Sequence, residues 1–258
     1  MDRRTDPLPV SPHFKPNGQV AVILPTYNEQ VHIQKTFEAL LRYIPDHPNY
    51  TFIFVNDGSG DRTKQILTTG IQIAKTNQIK LLSYSPRAGK GYAIRRGVEF
   101  ANSDIICYLD SDLAYSLEHL ESLVKKLQYC DVVLGCRGLA VGTRKASQFN
   151  HQAAEKLIHF LSRNFLNLRY SDMQTGLKGF RREAAKKLFS AQTLTGSSFD
   201  IELIYLAKKW GFAIGEIPAC LSDRHQRKVS PSNRVQDSIR MLIDLLKIRL
   251  NDRMGLYR

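Results

Sequence analysis

The chain has 258 residues, 43% of them apolar, which suffices for a sizeable core in one large α/β domain; two small domains would be the alternative. Lys and Arg number 37 against 24 Asp and Glu, and the resulting net charge of +13 points to an anionic partner: nucleic acid, a membrane surface or a phosphorylated substrate. No apolar run approaches the ~18 residues of a spanning helix and the N-terminus lacks the apolar core of a signal peptide, so the expectation is a soluble or peripheral protein.

Residues 1–18 hold four prolines, scattered charges and little periodic apolarity, and read as a loosely ordered tail. Val20 to Leu24 is a clean apolar strand ending at Pro25-Thr26-Tyr27-Asn28-Glu29. Beyond it Val31, Ile33, Phe37, Leu40, Leu41 and Ile44 keep a largely helical spacing. The next unit repeats the plan: a strand from Thr51 to Val55, the turn cluster Asn56-Asp57-Gly58-Ser59-Gly60-Asp61, and a helix from near Thr63 to about Ala74. Ile79 to Ser83 is a third strand, and Pro86-Arg87-Ala88-Gly89-Lys90-Gly91 opens a helix through Ala93, Ile94, Val98 and Phe100.

Ile105 to Leu109 is a short continuous apolar run, as in a buried strand, and it stops at two carboxylates, Asp110 and Asp112, separated by Ser111. In an open α/β sheet the ligand site lies beyond the carboxyl ends of the strands, where two acids face a ligand rather than the core. Carboxylates are hard donors suited to Mg²⁺ or Mn²⁺, ions that commonly complete their shell with substrate phosphates and water. A solvated acidic turn is the plainer alternative for these three residues on their own.

Four successive strand-loop-helix units predict a mainly parallel sheet with right-handed crossovers, its polar loops gathered at one edge. Leu117 to Leu127 reads as a helix, and Val132 to Leu134 as a short strand leading to Gly135-Cys136-Arg137. Arg144 to Leu168 reads as a long, basic, mostly helical stretch. A turn at Gln174-Thr175-Gly176, a strand from Leu177 to Phe180, helices from about Glu183 to Phe189 and from Asp200 to Trp210, and a strand from Phe212 to Pro218 follow. Residues 222–234 form a basic loop with Arg224, Arg227, Lys228 and Arg234. The closing helix, Val235 to Leu250, carries Ile239, Leu242, Ile243, Leu246 and Leu250 on one side, with Arg240, Lys247 and Arg249 nearby. Its apolar side is expected to dock on the domain, a membrane interface being the alternative. Cys107, Cys130, Cys136 and Cys220 show no paired metal spacing and are expected to be reduced thiols in a cytosolic compartment.

The loops Pro25-Thr26-Tyr27-Asn28-Glu29, Asn56 to Asp61, Gly89-Lys90-Gly91 and Asp110-Ser111-Asp112, in this order and each after a strand, resemble those of family 2 glycosyltransferases with the GT-A fold, over roughly residues 20–220. One such motif is weak evidence; four at consecutive strand ends make coincidence a poor explanation. The stretches Ser171 to Arg182, Phe199-Asp200-Ile201-Glu202-Leu203 and Glu216-Ile217-Pro218 are most similar to the dolichyl- or polyprenyl-phosphate sugar synthases of that family.

The resemblance implies an α/β fold with a GT-A domain over residues 19–221, followed by a basic loop and amphipathic helix over 222–258. It implies that Pro25, Tyr27 and Glu29 contact the nucleotide, that Asp57, with Val55 beside it, binds the base, and that Lys90 and Ser111 join the nucleotide-sugar site. Asp110 and Asp112 would hold Mg²⁺ or Mn²⁺ on the donor diphosphate, making Asp112 catalytic. Lys178 stands where mannosyl relatives commonly have arginine, and Arg224 follows Asp223 as an arginine does there; both would contact phosphate. Ala114 is a departure, since mannosyl relatives often have Gln two positions after the second acid, and it leaves the remaining metal ligands and the sugar open.

The implied reaction moves a hexose from a GDP- or UDP-hexose to a polyprenyl phosphate with inversion, and Arg137, Arg227 and Lys228 would steer the acceptor phosphate. A phosphate nucleophile needs no strong base; a hydroxyl acceptor would, and Asp200 is the candidate, with a helix cap as its plainer role. The implied setting is the cytoplasmic face of an anionic membrane, which leaves room for a membrane partner protein. A soluble transferase acting on a hydroxyl acceptor is the second reading. A nucleic-acid-binding protein is the third, without a recognition helix or stacking sheet to support it.

Overall fold

The computed structural model describes residues 18–139, 166–168, 170, 172–222 and 234–257, and of 234–239 the backbone only. The alternation and apolar runs read above become β1 (Val20–Thr26), β2 (Tyr50–Asp57), β3 (Ile79–Tyr84), β4 (Ile105–Leu109), β5 (Val132–Cys136), β6 (Leu177–Arg181) and β7 (Ile214–Pro218). The described helices are α1 (Ile33–Tyr43), α2 (Thr63–Ala74), α3 (Lys90–Phe100), α4 (Glu118–Lys126), α5 (Arg182–Ala191), α6 (Phe199–Lys209) and α7 (Arg234–Arg253).

The strands form one sheet in the order β3-β2-β1-β4-β6-β5-β7. β1 to β4 pair in parallel, as do β5 and β7; β6 runs antiparallel to both of its neighbours. Side chains alternate between two cores, as a period of two requires. Ala21, Ile23, Ile53, Val55, Ile106 and Tyr108 face α3, α5, α6 and α7, whereas Val20, Val22, Leu24, Phe52, Phe54 and Cys107 face α1, α2 and α4. Cys107, Cys130 and Cys136 are buried free thiols, and Cys220 is exposed.

Two expectations change. Leu166, Asn167 and Leu168, taken as the end of a helix, are irregular, with Asn167 at φ 53°; asparagine tolerates this left-handed conformation. Residues 144–165 of that stretch, the tail up to residue 17 and the basic loop 223–233 lie outside the described residues.

The closing helix does dock on α6, but with Met241, Leu245 and Ile248, all 9% exposed or less. Ile243, Leu246 and Leu250, which were expected on the docked side, face outward. Asp252 fixes this rotation by accepting from Tyr205 Oη at 2.5 Å and pairing with Lys209.

Beyond the helix Tyr257 is fully buried, and its hydroxyl donates to Glu202 Oε1 at 2.5 Å. Glu202, itself buried, also accepts from the Thr193 and Leu194 amides at 2.9 Å each and from Thr193 Oγ1 at 2.5 Å. Tyr257→Phe should therefore lower stability by about 1.5–3 kcal/mol, the range for a hydrogen bond to a charged group. Urea unfolding should show the midpoint falling with an unchanged slope.

Candidate active site

The carboxyl ends of β1, β2 and β4 open into a cleft of about 290 Å³, lined by Pro25, Thr26, Tyr27, Glu29, Asp57, Arg87, Lys90, Ala93, Asp110, Ser111 and Asp112. The first two loops are knitted together. The Asn28 amide donates to Ser59 Oγ at 3.0 Å, Asn28 Oδ1 accepts from the Gly60 amide at 2.9 Å, and the Glu29 and Gln30 amides donate to Thr63 Oγ1 and Asp61 Oδ2. This lattice gives the Pro25–Glu29 loop a fixed shape. Val55 lies fully in the core, and its carbonyl accepts from Thr26 Oγ1 at 3.3 Å, so it supports the loop from beneath.

The third loop is held by Asp57. Its two carboxylate oxygens accept from the Ala88 amide at 2.7 Å and the Gly89 amide at 2.9 Å, and the Arg87 guanidinium lies 3.8 Å away. Arg87 in turn lies over the Tyr27 ring, 3.9 Å from its centroid, a cation–π contact across the cleft mouth. Sequence reasoning gave Arg87 no role; its position in a basic, glycine-bearing turn after a strand was the only signal. Lys90 opens α3, and its ammonium reaches Asp110 Oδ1 at 2.5 Å.

The acidic turn is fixed from three sides. Thr36 of α1 donates to the Ser111 carbonyl at 2.6 Å, the Ala114 amide donates to Asp112 Oδ1 at 3.1 Å, and the Asp110 amide donates to the Gly176 carbonyl at 3.0 Å. Leu113 sits at φ 50°, a left-handed conformation costly for a leucine and located at the site itself. Asp110 is 8% exposed and Asp112 is half-buried.

Because β6 is antiparallel to β4, Leu109 pairs with Leu177, and the turn before β6 lies directly on Asp110. A Cβ on Gly176 would meet Asp110 Oδ2 at 1.9 Å. Only glycine leaves room for the carboxylate there.

Lys178 and Asp200 do not line the cleft. They form an ion pair at 3.0 Å, at side-chain exposures of 0% and 4%, and Asp200 also accepts from Tyr108 Oη while Lys178 donates to the Thr175 carbonyl at 2.7 Å. Burial pushes the Lys178 ammonium pKa down, and Asp200 draws it partly back. Burial, with Asp200 adding to it, pushes the Tyr108 phenol far up, so it remains a donor. Lys178 is thus a support under the acidic turn rather than a phosphate ligand at the cleft wall. Asp200, the candidate base, has its Oδ1 committed to two donors; it lies inside the first turn of α6, whose N-cap is Ser198, and no side chain makes a capping hydrogen bond there.

Arg137 is engaged with Asp172, through Nε at 2.6 Å and an Nη at 3.1 Å. Burial alone would raise the Asp172 carboxyl, but the hydrogen bonds and charge of Arg137 hold it below the usual range. Arg224, Arg227 and Lys228 lie outside the described residues.

Among the described residues no group of three or more His, Cys, Asp or Glu side chains is placed to hold an ion. Asp110 and Asp112 still suit a divalent ion that takes its other ligands from a diphosphate and water, since such ions often use only one or two carboxylates. The ammonium of Lys90 drawn onto Asp110 marks that acid as a cation-binding group. Ala114 is buried in the core and offers no ligand.

If Gly176 sets the place of Asp110, Gly176→Ala should cost about 100-fold in turnover, the loss a 1 Å misplacement can bring. The clash falls on the Asp110 side chain rather than on backbone, so the fold should survive, with the melting temperature lowered by the cost of one overpacked contact, about 1–3 kcal/mol. Turnover near that of the parent would show that Asp110 tolerates displacement.

Comparison with known proteins agrees with this architecture. A family model described as Glycosyl transferase family 2 matches residues 21–189. A dolichyl-phosphate beta-glucosyltransferase of Trichomonas vaginalis is 30% identical over 253 residues, covering 91% of this chain and 72% of the relative. One of Dictyostelium discoideum is 26% identical, covering 94% and 77%. Among solved structures, glucosyl-3-phosphoglycerate synthase from Mycobacterium tuberculosis in complex with UDP superposes with a TM-score of 0.68 at 20% identity, covering 90% of this chain and 80% of that one. The sheet with its loops at one edge is thus the GT-A architecture, and the chain belongs to glycosyl transferase family 2.

Proposed function

We propose that the chain transfers a hexose from a nucleotide sugar to a polyprenyl phosphate of the dolichyl type at a membrane surface, inverting the anomeric carbon. The relatives named above are dolichyl-phosphate beta-glucosyltransferases, and the M. tuberculosis structure holds UDP, which together favour a UDP-hexose donor, glucose foremost. The observation that carries the choice of acceptor is the Lys178–Asp200 pair. A hydroxyl acceptor needs a base, and the acid best suited to that role is buried and committed to Lys178 and Tyr108. A phosphate acceptor is already an anion and needs none.

In this reading Pro25, Tyr27 and Glu29 form the nucleotide pocket with Asp57, and Arg87 closes it over the Tyr27 ring. Lys90 and Ser111 stand at the diphosphate. An acceptor phosphate oxygen forms a bond to the anomeric carbon as the bond from that carbon to the donor diphosphate breaks, and the nucleoside diphosphate leaves with the electron pair. Catalysis then rests on alignment and on stabilising charge at the leaving group. Mg²⁺ or Mn²⁺ held by Asp110 and Asp112 would supply further positive charge there. Arg137, Arg227 and Lys228 are proposed to meet the acceptor phosphate, and Arg224 the phosphate of the nucleotide sugar. No helix among the described residues is long and apolar enough to cross a membrane. The phosphate of a polyprenyl phosphate lies at the bilayer surface, and the acceptor would be met there.

Asp112→Ala and Asp110→Asn should each lower transfer by about 10²- to 10³-fold with the melting curve retained, since both acids lie beyond the sheet. EDTA should abolish transfer and added Mg²⁺ or Mn²⁺ restore it; full turnover in a metal-stripped sample would remove the ion from the proposal.

Asp57→Ala frees the loop that carries Arg87 and Lys90. It should raise the apparent donor KM more than it lowers kcat, and titration calorimetry should show the loss in nucleotide affinity. Unchanged affinity in a folded variant would refute the nucleotide-pocket assignment.

A further inference from the structure

The outer face of α7 is left unused by the site. Ile243, Leu246 and Leu250 of the helix, and Met254 and Leu256 just past it, are 46%, 59%, 56%, 60% and 54% exposed. At about 3.6 residues per turn, positions 243, 246 and 250 fall opposite 241, 245 and 248, the side docked on α6. The helix is therefore apolar on two opposite faces. The same spacing puts Arg240 and Lys247 along one edge of the exposed stripe and Arg249 and Arg253 along the other; all four are exposed. Lys247 pairs with Asp244 at 3.1 Å and Arg249 with Asp252 at 3.8 Å on the same helix, and Arg249 also donates to Tyr205 Oη of α6 at 3.4 Å.

We infer that this stripe is a membrane-docking face, which lays α7 in the plane of an anionic bilayer with its aliphatic side chains among the lipid tails and its flanking cations on the headgroup phosphates. The alternative occupant, a second copy of the chain, fits less well. One helix stripe of five half-exposed side chains offers roughly a few hundred Å², short of the ~800 Å² per partner of a stable interface. Facing two such stripes would also set cations against cations.

The helix is tied to the cleft at both ends. Gln174 donates to Met241 Sδ at 3.6 Å, and Gln174 lies two residues from the glycine packed on Asp110. At the other end Tyr257 and Asn251 hold Thr193 and Glu202, and nearby Thr195 accepts from the Gly91 and Tyr92 amides beside Lys90. The docking face thus belongs to a helix tied to elements that shape the cleft, which deepens the lipid-acceptor reading and rests on it for the purpose of docking.

The test is co-sedimentation of the full-length chain with phosphatidylcholine vesicles, with and without phosphatidylserine, at low and high salt. The chain should bind the anionic vesicles, and high salt should weaken binding. Leu246→Glu combined with Leu250→Glu should lower binding about tenfold with an unchanged melting curve. As a measurement independent of that variant's folding, an environment-sensitive dye on Leu246→Cys, in a Cys220→Ser background, should shift to the blue when anionic vesicles are added. Unaltered vesicle binding in the folded double variant, or a dye that does not respond, overturns the inference. So does a dimer in sedimentation velocity that the double variant dissociates while vesicle binding persists. The double variant should retain transfer to a short, water-soluble prenyl phosphate and lose about tenfold on a long-chain acceptor in vesicles. Absence of transfer to either acceptor, with the vesicle effects intact, would refute the proposed function and uphold the docking face.

Discussion

An acid at the end of a central strand must be held where a ligand will meet it, and Asp110 is held by backbone alone on one side. The antiparallel entry of β6 brings Gly176 against its carboxylate and its carbonyl onto the Asp110 amide. Were β6 parallel, its first residues would lie at the other end of the sheet, and the acidic turn would project from β4 with no neighbour to fix it. From this one reversal of direction follow the pairing of Tyr108 with Lys178, the Thr175 carbonyl over the Lys178 ammonium, and the approach of α6 with Asp200. Beneath the acidic turn, out of the cleft itself, lies a chain of polar groups, each bonded to the next, in an otherwise apolar core. A buried ion pair contributes little net stability once desolvation is counted, but a lone buried charge is strongly unfavourable. The pair therefore penalises any arrangement of β4, β6 and α6 that separates its members.

Much of the first half was legible because each strand there is an apolar run ended by turn-forming residues, and each helix shows a spacing near 3.6. The strand-loop-helix alternation alone puts the loops after β1, β2, β3 and β4 at one sheet edge, and Asp57, Lys90, Asp110 and Asp112 do converge there. Strand direction was not legible, since a run such as Leu177 to Arg181 reads the same in either sense. The phosphate role expected of Lys178 came from the resemblance to mannosyl relatives; its partner Asp200 lies 22 positions on in sequence and becomes a neighbour only in the fold. Arg87 was passed over for a related reason. An arginine in a turn is ordinarily solvated, and only the folded loop sets it over Tyr27.

The closing helix and its docking were legible, but the face that docks was misread for a different physical cause. Its sequence has two apolar faces, and a periodicity argument picks the one with more large side chains. Docking was decided instead by polar partners: Asp252 has Tyr205 and Lys209 to meet on α6, and the face that carries it is the one with Met241, Leu245 and Ile248. Satisfying a buried or half-buried carboxylate outweighs the choice between two comparable aliphatic stripes, because an unpaired charge costs more than a few methyl groups left in water.

The same logic reaches the cleft from the far end of the chain. Glu202 is fully buried on α6 and accepts from the Thr193 and Leu194 amides, so it shapes the segment entering α6; the Thr195 carbonyl in that segment takes the amides of Gly91 and Tyr92. Those amides are among the unpaired donors that any helix leaves at its start. With them occupied, the first turn of α3 presents its lysine side chain, rather than its backbone, as the positive group facing Asp110. Gly89 and Gly91 fit this arrangement for a steric reason, since a Cβ on either would lie 2.5 Å from the Thr195 carbonyl oxygen or 2.8 Å from Phe199 Cβ. The glycines flanking Lys90 therefore serve close packing of the segment 193–199 on α3. Tyr257 completes the link, so the position of Lys90 depends on how the end of the chain is seated.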